Sequence, residues 1–412
     1  MLKRFTFRNC YSFRDETVLS MEAVYAMKDN WGFVVDLGGE SHRNCILPVA
    51  AIFGANAGGK SNVICALRDA AKNVCERTGW ILNSPFSLTD EMNDEFEHNL
   101  NLLIGEYEFT YSYTANEREV IRESLKRSPI GHKDSKLVFS REGKTVKNPD
   151  ALLDKTYFGA IEKAAQNTEY LIVNSVATLG IPGCSEIYRW CRSVLAVTLI
   201  KSEKERWEHL DAFAGELAGN VTLRNRLSEF IKRFDPAITS VRPFDIRGEE
   251  SGKSKYILGI GHNFRNPNGS TGVKFFPAPR ESNGTQKILE LYPMLADALD
   301  NGKPLVIDEL DTMFHPLVFK KIVALFNDKS TNPNKAQLIF ASHNTEVMNR
   351  EELRRDEIHI VEKNDDGVSS IFRLSDCVDE HGRKVRMDAR YDRVYLEGLL
   401  GSIPSNFEDV IV

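Results

Sequence analysis

The sequence lacks the features that mark secreted, membrane-spanning and disulfide-stabilised proteins. Its seven cysteines are scattered, and no two of them form a Cys-x-x-Cys pair. Such a set fits a reducing compartment better than a disulfide framework or a zinc site. No window approaches about 18 uninterrupted apolar residues, and the opening Met1–Phe5 has no apolar run of the kind that a signal peptide needs. We therefore expect a soluble, cytoplasmic protein with no membrane partner.

Internal repeats, low-complexity segments and sustained heptads are missing as well. The lack of heptads argues against a long coiled-coil arm. The formal net charge of −6 argues against a general polyanion binder, although it leaves room for local basic patches. The 412 residues suffice for one large domain or two smaller ones, each with its own core.

The most specific motif present is a complete G-x-x-x-x-G-K-S sequence that begins at Gly54. The apolar run 47–53 before it is typical of a buried strand, and the apolar residues of 62–77 after it recur at helical spacing. A strand, a glycine loop and a helix in this order bring backbone N–H groups and a helix N-terminus up to phosphate oxygens. The predicted nucleotide-binding residues are Gly54, Ala55, Asn56, Ala57, Gly58, Gly59, Lys60, Ser61 and Asn62.

Two side chains of this loop have separate expected roles. Lys60 would reach the β- and γ-phosphates, and the Ser61 hydroxyl would bind Mg²⁺. The sequence therefore predicts a site for a nucleoside triphosphate, with ATP and Mg²⁺ as ligands. A glycine turn without a ligand is the alternative.

Patterns along the chain predict an α/β protein in which two lobes of strands and helices flank a mostly helical middle. Strands are expected at 3–8, 17–21 and 32–37, helices dominate 157–235, and helices alternate with strands from 256 onward. The aromatic residues of 105–113 alternate and share one face of a strand, which is either half-buried or a stacking platform for bases. We predict three regions: an N-terminal lobe with the glycine loop (1–77), an inserted strand and helical subdomain (78–250) and a C-terminal lobe (251–412).

An apolar strand in the C-terminal lobe, 305–307, ends in two acids. A carboxylate at a strand end near the glycine loop can hold Mg²⁺, the role we expect for Asp308. The adjacent Glu309 is suited to polarise an attacking water molecule. Alone the pattern is weak, because many buried strands end in acids.

Two further motifs belong to the same lobe. Ser282 and Gly284 stand just before a helix, where they form either an anion site or a simple N-cap. His343 follows the strand 337–340 and either donates a hydrogen bond to a γ-phosphate or is an ordinary loop residue. The order of all these motifs behind a strong glycine loop indicates that they act together.

With these motifs in this order, the chain resembles the ATPase heads of the ABC/SMC class. Within that class it is similar to the bacterial defence ATPases of the RloA, AbiLi, AriA and OLD-related group, whose start and end resemble Phe7–Phe13 and Tyr395–Pro404. The resemblance covers nearly the whole chain and implies an ABC-type P-loop ATPase head. The matching motifs are the glycine loop Gly54–Ser61, the signature Ser282-Asn283-Gly284-Thr285, Asp308 with Glu309, the D-loop Leu310-Asp311, which implies a nucleotide contact for Asp311, and the switch residue His343.

Two departures from the family pattern concern the nucleotide. The family start has a basic residue where this chain has Tyr11, so a nucleotide-contacting cation is either missing or supplied by Arg8 or Arg14. The coupling-loop glutamine of ABC ATPases has no counterpart in 78–110, because the glutamines stand at 166, 286 and 337. The Pro85-Phe86 loop takes its place or the role is unassigned.

The resemblance implies that the signature of one subunit closes on the ATP held by the glycine loop of another. The chain would then form a homodimer or a higher homo-oligomer that hydrolysis releases. We expect the regulator of an anti-phage system that controls a separately encoded nuclease toxin and responds to a phage protein or a nucleic acid. OLD-type chains continue into a Toprim nuclease domain, whereas this sequence ends soon after His343 and has no nuclease signature.

Three alternatives stay open. The first is an ATPase of DNA repair or chromosome maintenance, which the lack of a coiled coil disfavours. The second is a nucleotide-gated scaffold with little turnover, which Glu309 disfavours. The third is direct nucleic-acid binding through the basic runs 122–136 and 383–393, although both runs are mixed with acids and suit a solvated face.

Overall fold

The protein divides into two compact units. The computed structural model describes residues 1–24, 31–37, 45–76, 81–88, 94–132, 134–148, 150–197, 203–246, 255–378, 384–386 and 389–396. The first unit comprises Met1–Val197, Ala298–Leu310 and Lys320–Val412, and the second comprises Thr198–Asp297 and Asp311–Phe319. The expected family ending at 395–404 lies mostly outside the described residues. The three predicted regions stay a prediction.

Strands and helices are numbered in chain order over the described residues. The strands are β1 (Leu2–Arg8), β2 (Thr17–Ser20), β3 (Val35–Asp36), β4 (Cys45–Ile46), β5 (Val49–Gly54), β6 (Phe96–Ile104), β7 (Tyr107–Ala115), β8 (Val120–Pro129), β9 (Lys136–Glu142), β10 (Thr145–Lys147), β11 (Leu195–Val197), β12 (Ile238–Asp245), β13 (Tyr256–Arg265), β14 (Thr271–Pro277), β15 (Pro304–Ile307), β16 (Gln337–Ala341), β17 (Ile358–Lys363) and β18 (Ser369–Arg373). The α-helices are α1 (Lys60–Cys75), α2 (Lys155–Ala165), α3 (Ile172–Val176), α4 (Cys184–Ser193), α5 (Glu203–Gly219), α6 (Val221–Lys232), α7 (Asn283–Asn301), α8 (Pro316–Asn327) and α9 (Tyr391–Leu396).

A mostly parallel sheet in the first unit has the order β11-β15-β16-β5-β17-β18. The pairings from β11 to β17 are parallel, and only β18 runs antiparallel to its neighbour. Every residue of β5, β15 and β16 is buried, which explains their continuous apolar sequences. The order of these strands decides which loops meet at one edge of the sheet.

An antiparallel sheet of seven strands, in the order β10-β9-β8-β7-β6-β1-β2, completes the first unit. Its strands alternate buried and more exposed side chains, as β6 does from Phe96 to Leu102. The buried side chains join one apolar core with α1 and α4, in which Phe5 and Tyr111 meet Ala70 and Ile187. The core therefore fixes α1, the helix that follows the glycine loop.

The second unit contains the antiparallel sheet β12-β13-β14. Helices α5 and α6 pack against β12 and β13, and they bury Val241 and Ile260 on that side. Helix α7 begins at Asn283 and carries a buried apolar side that includes Leu289 and Tyr292.

The predicted α/β fold class is confirmed. The inserted region nevertheless starts with strands rather than helices, since β6 to β10 occupy 96–147 and helices follow from Lys155. The expected strand at 32–37 was wrong in extent. A 3₁₀ helix covers Trp31–Phe33, and β3 keeps two residues because its partner β4 is equally short.

Candidate nucleotide site

Three loops of the predicted site leave the same edge of the mostly parallel sheet. The strands β15, β16 and β5 are parallel neighbours, with Ile307 opposite Phe340 and Ala341 opposite Ile52. Their carboxyl ends lead into the glycine loop, into Asp308 and into Ser342. In open α/β sheets, ligands bind outside the carboxyl ends of the strands.

The glycine loop has a backbone that larger residues would not fit. At Gly59 the φ angle is 119°, and an added Cβ would lie 2.7 Å from Ser369 Oγ and 2.9 Å from Ser12 Oγ. At Gly54 an added Cβ would lie 2.3 Å from the Val361 carbonyl oxygen. The motif glycines are therefore required by close packing as well as by conformation.

Two serines from distant parts of the chain brace this loop. The Ser369 hydroxyl donates to the Gly58 carbonyl at 2.6 Å, and its oxygen lies at hydrogen-bonding distance, 2.7 Å, from Ser12 Oγ. The Asn62 side chain donates to the same Ser12 oxygen at 2.7 Å. The loop thus keeps its shape through contacts with the turn after β1 and with the start of β18.

Lys60 is buried within the loop that it belongs to. Its ammonium donates to the carbonyl oxygens of Gly54 and Ala55, both at 2.9 Å. Gly59 is the N-cap residue of α1, and no side chain caps this end. A helix N-terminus without a capping side chain can bind an anion, and the Lys60 ammonium lies within the same loop.

The Asp308 carboxylate lies at the end of β15 and near α1. Burial raises the pKa of the Cys65 thiol on α1, and the negative charges of Asp69 and Asp308 raise it further. Asp308 Oδ1 is buried and accepts no hydrogen bond from the described residues. A buried carboxylate oxygen without a donor suits a cation with hard oxygen ligands, so the donor set fits Mg²⁺ with Ser61 as second ligand.

Glu309 is exposed and has a φ angle of 52°. A left-handed conformation is uncommon for a residue with a side chain, and such outliers cluster at functional sites. His343 is exposed too, one residue after the buried Ser342, whose N–H donates to the Ile52 carbonyl at 3.0 Å. The first unit thus gathers the glycine loop, Asp308, Glu309 and His343 at one sheet edge.

Ser282, Gly284 and Asp311 belong to the second unit. The Ser282 hydroxyl accepts the Thr285 N–H at 3.2 Å, so this serine caps the N-terminus of α7 in the structure. A Cβ added at Gly284 would meet only Ser282 Oγ, at 3.9 Å, among the described residues. Asp311 lies in the 3₁₀ helix Leu310–Met313.

Tyr11, Arg8 and Arg14, the residues at the first departure from the family pattern, each contact an acidic side chain. The Tyr11 hydroxyl donates to the Asp69 carboxylate, Arg8 pairs with Glu97 at 3.7 Å and Arg14 pairs with Asp15 at 3.2 Å.

The glutamines have structural contacts. Gln337 Nε2 donates to the Leu2 carbonyl at 2.8 Å, and Gln286 Nε2 donates to the Glu281 carbonyl at 2.8 Å. Gln166 Nε2 donates to the Lys144 carbonyl at 3.3 Å. In the Pro85-Phe86 loop, the Phe86 N–H donates to Asn9 Oδ1 at 2.9 Å, which ties this loop to the turn after β1.

Sequence reasoning missed Ser12 and Ser369 as site residues. Ser12 lies within the opening segment that resembles the family start, so a signal for it existed. Ser369 begins an edge strand that the patterns did not predict, and only the fold brings it to the loop. No group of three or more His, Cys, Asp or Glu side chains suited to a metal occurs among the described residues. None of the helices described is both long and apolar enough to cross a membrane.

The fold and this site define a P-loop protein. A family model described as "AAA domain, putative AbiEii toxin, Type IV TA system" matches residues 49–349. The chain belongs to this family.

Solved structures of SMC heads are similar over most of their length. The "SmcHead bound to the C-winged helix domain of ScpA" is 14% identical, with 90% of this chain and 97% of that chain covered at a TM-score of 0.45. The SMC head domain from Thermotoga maritima is 16% identical, with 90% and 98% covered at a TM-score of 0.41. A Pyrococcus furiosus Smc head bound to the C-terminal domain of ScpA is 12% identical, with 90% and 96% covered at 0.44. The comparison with curated proteins found no match.

Proposed function

We propose that this protein binds ATP with Mg²⁺ at the glycine loop and hydrolyses it. The observation that carries the proposal is the meeting of a braced glycine loop, a buried Lys60 and the unpartnered Asp308 Oδ1 at one sheet edge. Cation, helix N-terminus and carboxylate are the groups that a nucleoside triphosphate with its metal requires.

Each residue has a defined part in this proposal. Lys60 turns its ammonium from the loop carbonyls to the β- and γ-phosphates and neutralises their charge. Ser61 and Asp308 hold Mg²⁺, which when bound withdraws charge from the same phosphates. Glu309 orients the attacking water, and His343 donates to the γ-phosphate.

Isothermal titration calorimetry with ATP and Mg²⁺ tests the binding step. Lys60→Ala should abolish measurable binding, because the loop then lacks its only cationic side chain. Lys72→Ala is the matched control, since Lys72 is an exposed lysine on the same helix. Near-normal affinity of Lys60→Ala would remove the site assignment.

We further propose that each ATP is shared between two copies of the chain. Support comes from Gly284. This residue is helical, and an added Cβ would meet only Ser282 Oγ, at 3.9 Å, among the described residues, so packing within its own unit does not explain a glycine there. An unobstructed backbone beside a helix N-terminus lets a phosphate of another subunit approach closely. Ser282, Gly284 and Asp311 would then complete the site that Lys60 begins.

The biological role we propose is regulation of an anti-phage system through a separately encoded nuclease. The family description names a toxin of a toxin–antitoxin system, which supports the defence setting but makes this chain a candidate for the toxic component itself. Expression of the chain alone in a bacterial host separates the two roles. A regulator leaves growth unchanged, whereas growth arrest that Lys60→Ala relieves would assign the toxicity to this chain.

A further inference from the structure

The sheet of the second unit leaves one of its faces to solvent. Ten large apolar side chains are exposed among the described residues, and four of them lie on or beside β12 to β14. Phe244 and Val273 lie on that face, Ile246 follows the end of β12, and Phe264 lies on the opposite face. Helices α5 and α6 cover the opposite face of β12 and β13. A cluster of exposed apolar groups in so short a segment is typical of a binding surface.

Two glycines, Gly259 and Gly261, leave the middle strand β13 without side chains at two positions of this face. A Cβ at Gly259 would lie 2.3 Å from the ring of Phe244 on β12, and one at Gly261 would lie 2.9 Å from the ring of Phe275 on β14. The two rings, 5.3 Å apart between centroids and 68° apart in plane, therefore lie across the bare middle strand. Phe244 keeps 40% of its surface exposed.

Among the described residues of β12 to β14, the charged side chains on the face of these rings are arginines. The Arg242 guanidinium lies 5.3 Å from the centroid of the Phe275 ring. Strand alternation brings Arg265 to the same face as Gly261. The acidic residue that the three strands contain, Asp245, alternates to the other face, next to Phe244 in sequence. The net charge of this face is therefore positive, whereas the formal net charge of the whole chain is −6.

We propose that this surface, the Phe244 face (Arg242, Phe244, Arg265, Val273 and Phe275), binds single-stranded nucleic acid. Exposed rings on a sheet offer a stacking surface to unpaired bases, and arginines offer cations to the phosphates. A duplex hides the faces of its bases, so it presents nothing that the rings can stack on. An apolar protein surface is the competing partner, but it gives no reason for a face on which the described strand residues include two arginines and no acid. The residues of this surface lie outside the basic runs 122–136 and 383–393 in the sequence, and the proposed binding requires no ATP.

Fluorescence anisotropy of the full chain with labelled oligo(dT) and oligo(U) of about 15 nucleotides tests the proposal. Phe244→Leu should weaken binding about fivefold or more, because it removes a stacking ring. Phe264→Leu is the matched control: that ring is 43% exposed, and a Cβ at Gly272, on the opposite face to Gly261, would lie 2.7 Å from it. The control should change affinity less than about twofold.

A second pair of variants keeps the test informative if Phe244→Leu folds poorly. Arg242→Ala should weaken binding and lower the salt dependence by about one phosphate contact. Lys274→Ala, whose ammonium lies 5.4 Å from the Phe276 ring on the other face, is its control. The proposal is overturned if the chain binds neither oligonucleotide at about 50 mM salt or binds a duplex equally well. It is also overturned if the control variants weaken binding as much, or if Phe244→Leu changes only the assembly of the chain.

Discussion

At the residue scale, a side chain's type indicates chemistry only together with its surroundings. Cys10 Sγ lies 3.3 Å from His98 Nε2, and His98 Nδ1 lies 2.7 Å from the Tyr113 hydroxyl, an arrangement that resembles an activated nucleophile. Burial raises the pKa of the Cys10 thiol strongly and lowers the pKa of His98 to about 3. Both groups are therefore neutral at physiological pH, and the chain of contacts stabilises the core of the first unit.

Gly59 is the residue at which the shape of the glycine loop is most constrained. Gly59→Ala combines an unfavourable φ of 119° with a Cβ that crowds Ser369 and Ser12. The loop must shift to relieve this contact, so ATP affinity should fall about tenfold or more. Gly143→Ala is the control, because its φ is 55° and no heavy atom lies within 4 Å of the added Cβ. Equal ATP affinity of both variants in calorimetry would show that the bracing serines do not shape the site.

At the scale of elements, local patterns predicted the strands and helices that carry the motifs. Neighbouring residues suffice to identify four of these elements. The strands β5, β15 and β16 are short apolar runs, and the apolar residues of α1 recur at helical spacing. Arg122 and Lys126 of the run 122–136 are exposed, as both a solvated face and a nucleic-acid surface require. The strand β8 itself was missed, because its buried Glu123 is compensated by Arg141 of β9, at 3.5 Å. No local pattern contains that partner.

Contacts between residues distant in sequence also limited how much of the candidate site could be predicted. Lys60, Asp308 and Glu309 follow from motifs, whereas the contact between Ser12 and Ser369 spans 357 residues of sequence. Asp308 Oδ1 was predicted as a metal ligand by its place at a strand end, but its lack of a donor required the fold.

The N-terminus of α7 is the element that tests sharing of ATP between subunits. Ser282→Arg should leave ATP binding to the isolated chain intact. It should block hydrolysis and the closure of two subunits on ATP, since a bulky side chain would fill the space beside Gly284. A mixture of Ser282→Arg with Lys60→Ala should recover part of the ATPase activity, because one composite site of each mixed dimer has both halves intact. A mixture as inactive as either parent, under conditions in which subunits exchange, would contradict the shared site.

At the scale of the whole molecule, the chain combines a P-loop unit with a second compact unit. The first unit holds the glycine loop and its acids, and the second holds Ser282 with the Phe244 face. Membership of the family supports the proposal that the chain binds ATP. The two proposals are independent, because a Lys60→Ala chain that no longer binds ATP should still bind single-stranded nucleic acid.

Steady-state ATP turnover of the wild type and of Glu309→Gln, with size-exclusion chromatography in ATP, tests the central claim most directly. We expect the wild type to hydrolyse ATP and Glu309→Gln to lose about two orders of magnitude in turnover while it still binds ATP and elutes as a larger species. Glu346→Gln, an exposed acid soon after His343, should turn over ATP normally. Wild-type turnover by Glu309→Gln would contradict the catalytic assignment, and an absence of any turnover in the wild type would contradict the ATPase itself.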